Sequence, residues 1–351
     1  MTNQFAPTRK LLQNGDRLGQ LLNEGSTVPV TVEIYPTYYC NNHCRTFDFA
    51  GVNNNGRKIA IDTILCKRAL GVMAEAGVRG VNWGGGGEPT LHSALPKFLE
   101  AGMDAGLSQG MFTNGTVMND KLMDSIIKNL KWIRFSVNSG CPNNYGAVHG
   151  ADPKTYHHVL MNIQKLIKAR DKAGVKLTVG ISYFINGMNY KDAEPMAYLA
   201  DDIGADYIQF RPDTTAHPNL VETYLYHIKE RSKGWAFKSM VRWTEYKWLD
   251  ASDIEHDFGR NYSKCTAPWF MMAVGAEGKV WACSEHAGST NPPLGDLNTE
   301  GFKDCISPDR IISFIENTNP KHCRKFCKGH EINKTMHMIY NPDRHSHPEH
   351  I

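Results

Sequence analysis

Six of the nine cysteines in this 351-residue chain fall into two groups. Cys40-Asn41-Asn42-His43-Cys44 sets two thiols in a polar stretch, and Cys265, Cys283, Cys323 and Cys327 stand near the end. Thiolates are soft donors that suit iron–sulfur clusters, and four of them also suit a structural zinc. In a long chain without an export signal, such cysteines point to metal binding or catalysis before disulfides. Between the groups runs Gly84-Gly85-Gly86-Gly87-Glu88-Pro89-Thr90. Gly86 and Gly87 are expected to let the backbone approach a ligand and to take positive φ, with Glu88 holding the turn. The other cysteines read more plainly: Cys66 as helix core, Cys141 as a loop thiol within reach of a cavity, and Cys305 as outside any ligand pattern. The histidines of the 343–350 tail read as solvated chain.

The elements that must position these residues alternate. Val28, Val30, Val32 and Ile34 recur every second residue, which predicts a strand over Val28–Pro36 with the first cysteine pair in the loop after it. Helices are predicted over Ile61–Ala76, Leu91–Ala105, Met118–Asn129 and Tyr190–Ile203. Another is predicted after Asp152-Pro153, read as cap and first position, and ends at Gly174. Strands are predicted over Val78–Trp83, Ser108–Phe112, Trp132–Val137, Lys176–Phe184 and Tyr207–Phe210, the last ending at Arg211-Pro212. About six β/α units with short links argue a parallel sheet with right-handed crossovers. The chemical motifs then lie at the C-terminal ends of strands, where such folds hold ligands. Residues 218–257, with Trp235, Trp243 and Trp248, read as helical.

Bulk composition excludes several classes. Hydrophobic residues are 41%, charged residues 21% and net charge +3, an ordinary globular balance. The charge is too small to argue for nucleic acid, although an anionic substrate would be comfortable. No run of about 18 apolar residues suggests a membrane span. The first residues carry no apolar signal region, so a cytoplasmic location is expected.

Cys-x3-Cys after one strand and Gly-Gly-Glu-Pro after the next resemble the radical S-adenosylmethionine (SAM) enzymes. Cys265-x12-Gly278-x4-Cys283 followed by Cys323-x3-Cys327 resembles the SPASM/twitch auxiliary domain of that superfamily, with Gly278 turning a hairpin between two ligands. The resemblance covers residues 26–335. It implies a partial (β/α)6 TIM-like barrel with a small C-terminal cluster domain. The chain would divide into an N-terminal segment (1–25), the core (26–215), a helical bridge (216–262), the auxiliary domain (263–335) and a polar tail (336–351).

By this resemblance, Cys40 and Cys44 are the first two ligands of a [4Fe–4S] cluster whose open iron chelates SAM. Reductive cleavage then yields a 5′-deoxyadenosyl radical that takes hydrogen from the substrate. Gly86, Gly87, Glu88 and Pro89 would meet the SAM amino group, and Asn114, Ser136 and Asn138 its ribose or carboxylate. Ser182 and Arg211 face the same end, and Arg211 could pair with a carboxylate. Cys265, Cys283, Cys323 and Cys327 would hold an auxiliary [4Fe–4S] cluster, zinc being the alternative.

One position departs from the pattern. The third cysteine of Cys-x3-Cys-x2-Cys should fall at position 47, which is Phe47. Either Phe47 replaces it, the simpler alignment, or Thr46 is an insertion and Asp48 becomes an oxygen ligand. The resemblance implies an oxidoreductase acting on a small polar, sugar- or cyclitol-like substrate, since only about 25 residues precede the first strand and no peptide-recognition domain stands there. Its electron donor would be a flavodoxin or ferredoxin. The alternatives are a peptide-modifying enzyme, or a binding protein that has lost its catalytic cluster.

Overall fold

The structure is a computed structural model describing residues 7–45, 58–213, 226–228, 230–234, 241–243, 260–288, 291–323 and 327–341. Six strands succeed one another along the first part of the chain: β1 (Thr31–Ile34), β2 (Gly80–Trp83), β3 (Ser108–Thr113), β4 (Trp132–Ser136), β5 (Thr178–Ile185) and β6 (Tyr207–Pro212). Each is parallel to the next. Helices lie between them, as parallel crossovers require. They are α3 (Thr63–Ala76), α4 (Leu95–Asp104), α5 (Asp120–Asn129), α6 (Pro142–His149), α7 (Thr155–Ala173) and α8 (Ala193–Asp202), with α1 (Pro7–Gln13) and α2 (Gly15–Glu24) preceding β1. This is the partial, unclosed (β/α) barrel that the sequence predicts.

Local chemistry sets the helix ends. Asp62 accepts from the backbone N–H of Ile64 and Leu65, both at 2.9 Å, and so caps α3. Gly77 closes α3 in the left-handed region at φ +104°. Asn119 caps α5 in the same way. The Asp152-Pro153 pair does not start α7 as predicted. Asp152 accepts instead from Lys154 N–H at 2.8 Å in a turn, and the helix begins at Thr155.

Alternation along the strands separates two faces. Val32, Val81, Met111, Ile133, Ile181 and Phe210 are fully buried in the main core. The opposite, concave face carries Glu33, Asn82, Phe112, Arg134, Ser182, Gln209 and Arg211, which neighbour one another through the strand register. Its floor is packed by Trp132 and Tyr207. A Cβ on Gly110 or Gly180 would fall about 2 Å from those rings, at 1.9 and 2.1 Å, so only glycine fits beneath them.

The stretch predicted as helical bridge contains a strand, β7 (Val241–Trp243), parallel to β6. A three-residue strand on an edge is recruited by its neighbour, which overrides local helical preference. Trp235 and Trp248 lie outside the described residues.

The C-terminal region joins the same sheet. β8 (Met271–Val274) runs parallel to β1, while β9 (Lys279–Trp281) and β10 (Gly295–Asp296) continue antiparallel beyond it. The ten strands among the described residues thus run β10-β9-β8-β1-β2-β3-β4-β5-β6-β7. Gly278 turns the predicted hairpin at φ +85°. Helices α9 (Phe302–Cys305), α10 (Pro308–Asn317) and α11 (His330–Tyr340) complete this region. Among the described residues, no helix is long and apolar enough to cross a membrane.

Candidate active site

The C-terminal ends of β1, β2 and β3 are tied into one knot by Glu88. Its carboxylate accepts from Thr90 N–H (3.0 Å), Thr90 Oγ1 (2.6 Å), Thr113 Oγ1 (2.6 Å) and Asn114 N–H (2.7 Å). Burial pushes the Glu88 carboxyl above its ordinary value, and these donors pull it partly back. Glu88 N–H in turn donates to Tyr39 O at 2.9 Å, fastening the glycine turn to the segment just before Cys40.

The glycines behave differently from expectation. The positive φ (+97°) belongs to Gly85, not to Gly86 or Gly87, and a Cβ on Gly85 would enter the Tyr35 ring. A Cβ on Gly87 would meet the carbonyl oxygens of Thr37 and Tyr39, each at 2.4 Å. The space that Gly87 leaves is therefore taken by the cysteine loop's own backbone rather than reserved for a ligand.

Asn114 pins the loop from the other side. Its Nδ2 donates to Asn41 Oδ1 at 2.8 Å and stands 4.0 Å from Cys40 Sγ. Its Oδ1 accepts from the backbone N–H and the hydroxyl of Thr116. Cys44 meets a residue that sequence reasoning missed. His149 Nδ1 lies 3.3 Å from Cys44 Sγ, and its Nε2 lies 2.9 Å from Val137 O. A carbonyl only accepts, so Nε2 carries the proton and Nδ1 turns its lone pair toward the thiol. Backbone bonds from His43 N–H to His149 O (2.8 Å) and from Arg45 N–H to Val148 O (3.1 Å) hold the loop against α6. Pro142 at the start and Gly150 past the end signal α6 in the sequence; no local pattern signals its pairing with the cysteine loop. Burial pushes the Cys40 thiol up to about 11 and Cys44 up to about 12, so both are protonated thiols at neutral pH without a metal. Phe47 and Asp48 lie outside the described residues.

At the mouth of β4 and β5, Asn138 is fully buried at φ +51°. Its Oδ1 accepts from Phe184 N–H at 2.8 Å, so it joins the two strand ends. Ser136 is half-buried beside Ser182 in register. Asn138 Nδ2 and Ser182 Oγ are buried without a hydrogen-bond partner among the described residues. Such orphaned groups are costly unless a ligand or water meets them.

Cys265, Cys283, Cys323 and Cys327 converge from separate segments. Burial raises all four thiols, and the neighbouring cysteines add to the rise at Cys265, Cys283 and Cys327. Asn333 Nδ2 donates to Cys265 Sγ at 3.4 Å, while its Oδ1 accepts from Thr266 and Ala267 N–H. Glu285 N–H reaches Cys283 Sγ and Gly329 N–H reaches Cys327 Sγ, each at 3.3 Å. Arg260 holds the Pro320 and Cys323 carbonyls. Among the described residues, no three His, Cys, Asp or Glu side chains gather around a single-ion position. The two cysteine regions touch: Tyr38 donates to Glu277 Oε2 at 2.5 Å and Tyr35 to Ser284 O at 3.0 Å.

Residues 34–200 match the Radical SAM superfamily, and residues 265–328 match SPASM, an iron-sulfur cluster-binding domain. This chain is a radical SAM protein with a SPASM domain.

A curated relative is the tungsten-containing aldehyde ferredoxin oxidoreductase cofactor-modifying protein of Pyrococcus furiosus. It is 26% identical over 133 residues, covering 36% of this chain and 35% of that protein, so the match spans about a third of the relative. SuiB of Streptococcus suis, solved bound to the precursor peptide SuiA, superposes with a TM-score of 0.66 at 15% identity, covering 93% of this chain and 78% of SuiB. anSMEcpe, solved with bound AdoMet, gives 0.59 at 14% identity, covering 82% and 83%. At these identities the likeness to SuiB and anSMEcpe is one of fold.

The residues of this radical SAM protein suit the groups its domains imply. Cys40 and Cys44 are soft donors in a loop braced on both sides, and the orphaned Asn138 Nδ2 could donate to a polar cofactor at the same mouth. The four C-terminal thiols are a donor set suited to an iron–sulfur cluster.

Proposed function

We propose that this radical SAM/SPASM protein modifies a peptide or protein by abstracting hydrogen at the mouth of its barrel. The observation that carries the reading is the Glu88 knot, which fixes the cysteine loop, the glycine turn and the end of β3 at one place. Cys40 and Cys44 would hold the first cluster, with SAM lying across Gly86, Gly87, Glu88, Pro89, Asn114, Ser136 and Asn138. Cys265, Cys283, Cys323 and Cys327 would hold an auxiliary [4Fe–4S] cluster. Once bound there, SAM and a reduced cluster supply homolytic hydrogen abstraction.

The chain's own residues orient the site. Glu88 keeps the glycine turn against the cysteine loop, Asn114 and His149 brace that loop from opposite sides, and Asn138 joins β4 to β5. Such preorganisation matters because radical chemistry depends on placement. A peptide is favoured over a sugar or cyclitol because the likeness to SuiB spans both domains and SuiB has been solved with a precursor peptide. Phe47 favours a second reading, a binding protein without a working first cluster.

The test is iron and sulfide content of anaerobically reconstituted protein, its EPR spectrum with and without SAM, and release of 5′-deoxyadenosine after reduction. An EPR signal that SAM perturbs, with SAM cleavage, is expected of the enzyme. A single cluster indifferent to SAM would establish the second reading.

A further inference from the structure

The concave face of the barrel carries more positive charge than the reaction above uses. Its charged side chains are Glu33 on β1, Arg134 on β4 and Arg211 on β6, with Lys328 reaching in from beside Cys327. Glu33 and Lys328 pair at 2.7 Å and offset one another. Arg211 is not offset, and Arg134 is offset only in part, by Glu33 and a hydrogen bond with Tyr207. Arg134 lies 4.5 Å from the Phe112 ring centroid and donates to Gln209 Oε1. Arg211 lies 4.7 Å from the Phe184 ring centroid and has no carboxylate partner among the described residues. Burial pushes Arg134 down to about 10 and the Arg211 charge adds to that fall, while Tyr207 and Glu33 pull it partly back. A cationic pair with more positive than negative charge around it is a poor structural element but a good receptor, because guanidinium forks match carboxylate and phosphate oxygens.

An independent observation points to a ligand in the same place. Ser182, 1% exposed, lies on the same face between these arginines, in register with Gln209, and its Oγ has no hydrogen-bond partner among the described residues. Aromatic rings line the same surface, and Trp132 and Tyr207 close its floor. A ligand anchored at the arginines would therefore extend toward the mouth where Cys40 and Cys44 stand.

We propose that Arg134 and Arg211, with Ser182, receive an anionic group of the substrate, a carboxylate or phosphate, and so hold the substrate beneath the reaction centre. The inference rests on the reading of this mouth as the place of hydrogen abstraction and adds the chemical class of what enters. The anion could belong to an acidic side chain of a peptide or to a small organic acid or phosphate ester.

The test uses the reconstituted full chain with four probes: succinate, inorganic phosphate, a hexapeptide with a central glutamate, and the same peptide with glutamine. Calorimetry at low salt should show at least one anionic probe binding, with the glutamine peptide weaker by about tenfold or more. Arg211→Gln should weaken the anionic probe by about tenfold, and Arg211→Lys should recover part of that loss. Arg134→Gln should act in the same direction, and if it fails to fold, the Arg211 pair still decides. SAM affinity, measured on the same variants, separates the two sites. Anionic and neutral probes binding alike would overturn the proposal. So would Arg211→Gln leaving the anion unaffected, or weakening SAM in its place. Arginine-dependent anion binding in a protein that never cleaves SAM would support the receptor and reject the enzyme reading. Succinate or phosphate binding without the glutamate peptide would support the receptor and assign it to a small anion.

Discussion

The two cysteine regions are built in opposite ways. Cys40 and Cys44 sit four positions apart on one loop, and that loop is braced by groups that need no metal: Glu88 through Tyr39, Asn114 through Asn41, and α6 through two backbone bonds. The C-terminal thiols come from segments at 265, 283 and 323–327, so bringing them together closes long loops. Asn333 braces Cys265, and Arg260 braces the Cys323 carbonyl. On the function proposed above, the first region would be a scaffold formed ahead of its cofactors, and the second would be one whose folding is coupled to ligation.

The sharpest way to break this comparison is at Gly87. A valine there would drive its side chain into the Thr37 and Tyr39 carbonyls, which cannot yield because both belong to the braced segment. SAM affinity should fall by at least about a hundredfold, from backbone displacement rather than from a blocked ligand. Calorimetry with SAM on the folded variant checks it, and unchanged affinity would put the SAM site elsewhere.

Next come paired losses and gains of iron. Cys327→Ala should remove the auxiliary cluster, lower iron by about four per chain, and make the C-terminal region sensitive to protease while leaving the first region intact. Recovery of zinc at full occupancy with no iron would reassign that site. Phe47→Cys should add about four irons per chain if Phe47 stands where a ligand belongs. If Asp48 already serves, the parent should hold both clusters, and Asp48→Ala should remove one. Loss of the first cluster should leave the first region folded, which near-ultraviolet circular dichroism reads directly.

The smallest expected effect is at Glu88. In Glu88→Gln, an amide nitrogen would face at least one of the donors now aimed at the carboxylate, costing about 1–3 kcal/mol in chemical denaturation. The pH dependence carries a sign. Because the folded carboxyl lies above its ordinary value, the folded state holds the proton more tightly. The stability Glu88 lends is therefore complete below the ordinary carboxylate value and falls as pH rises through the raised one. That slope should vanish in the glutamine variant.

Much of this was legible before the structure. Strand alternation, helix caps and the positions of the motifs after strands are local signals, and they placed the barrel and its mouth. The Gly278 hairpin was readable because a glycine between short strands has one common use. What could not be read were contacts between distant segments. His149 meets Cys44 across 105 residues, and Lys328 meets Glu33 across 295. Neither has a periodic signature, and each depends on the sheet already being formed. Gly87 shows the same limit, since its close approach was foreseen while the identity of the approaching group was not. The strand at Val241–Trp243 was missed because an edge pairing, not intrinsic preference, decides it.

The parallel pairing of β8 with β1 bears on how the chain is made. On a ribosome, β1 emerges early, but the strand that covers its outer edge is about 240 residues behind it. Until then β1 presents an open row of backbone donors and acceptors to anything nearby. A nascent barrel must wait with one seam unsewn, in the state from which strands of neighbouring molecules are captured. Ending the chain at Lys264, before the hairpin, would make that interval permanent. Such a fragment should collect in aggregates even though it retains the whole of the first cysteine loop, and adding the missing hairpin as a separate peptide should rescue its solubility.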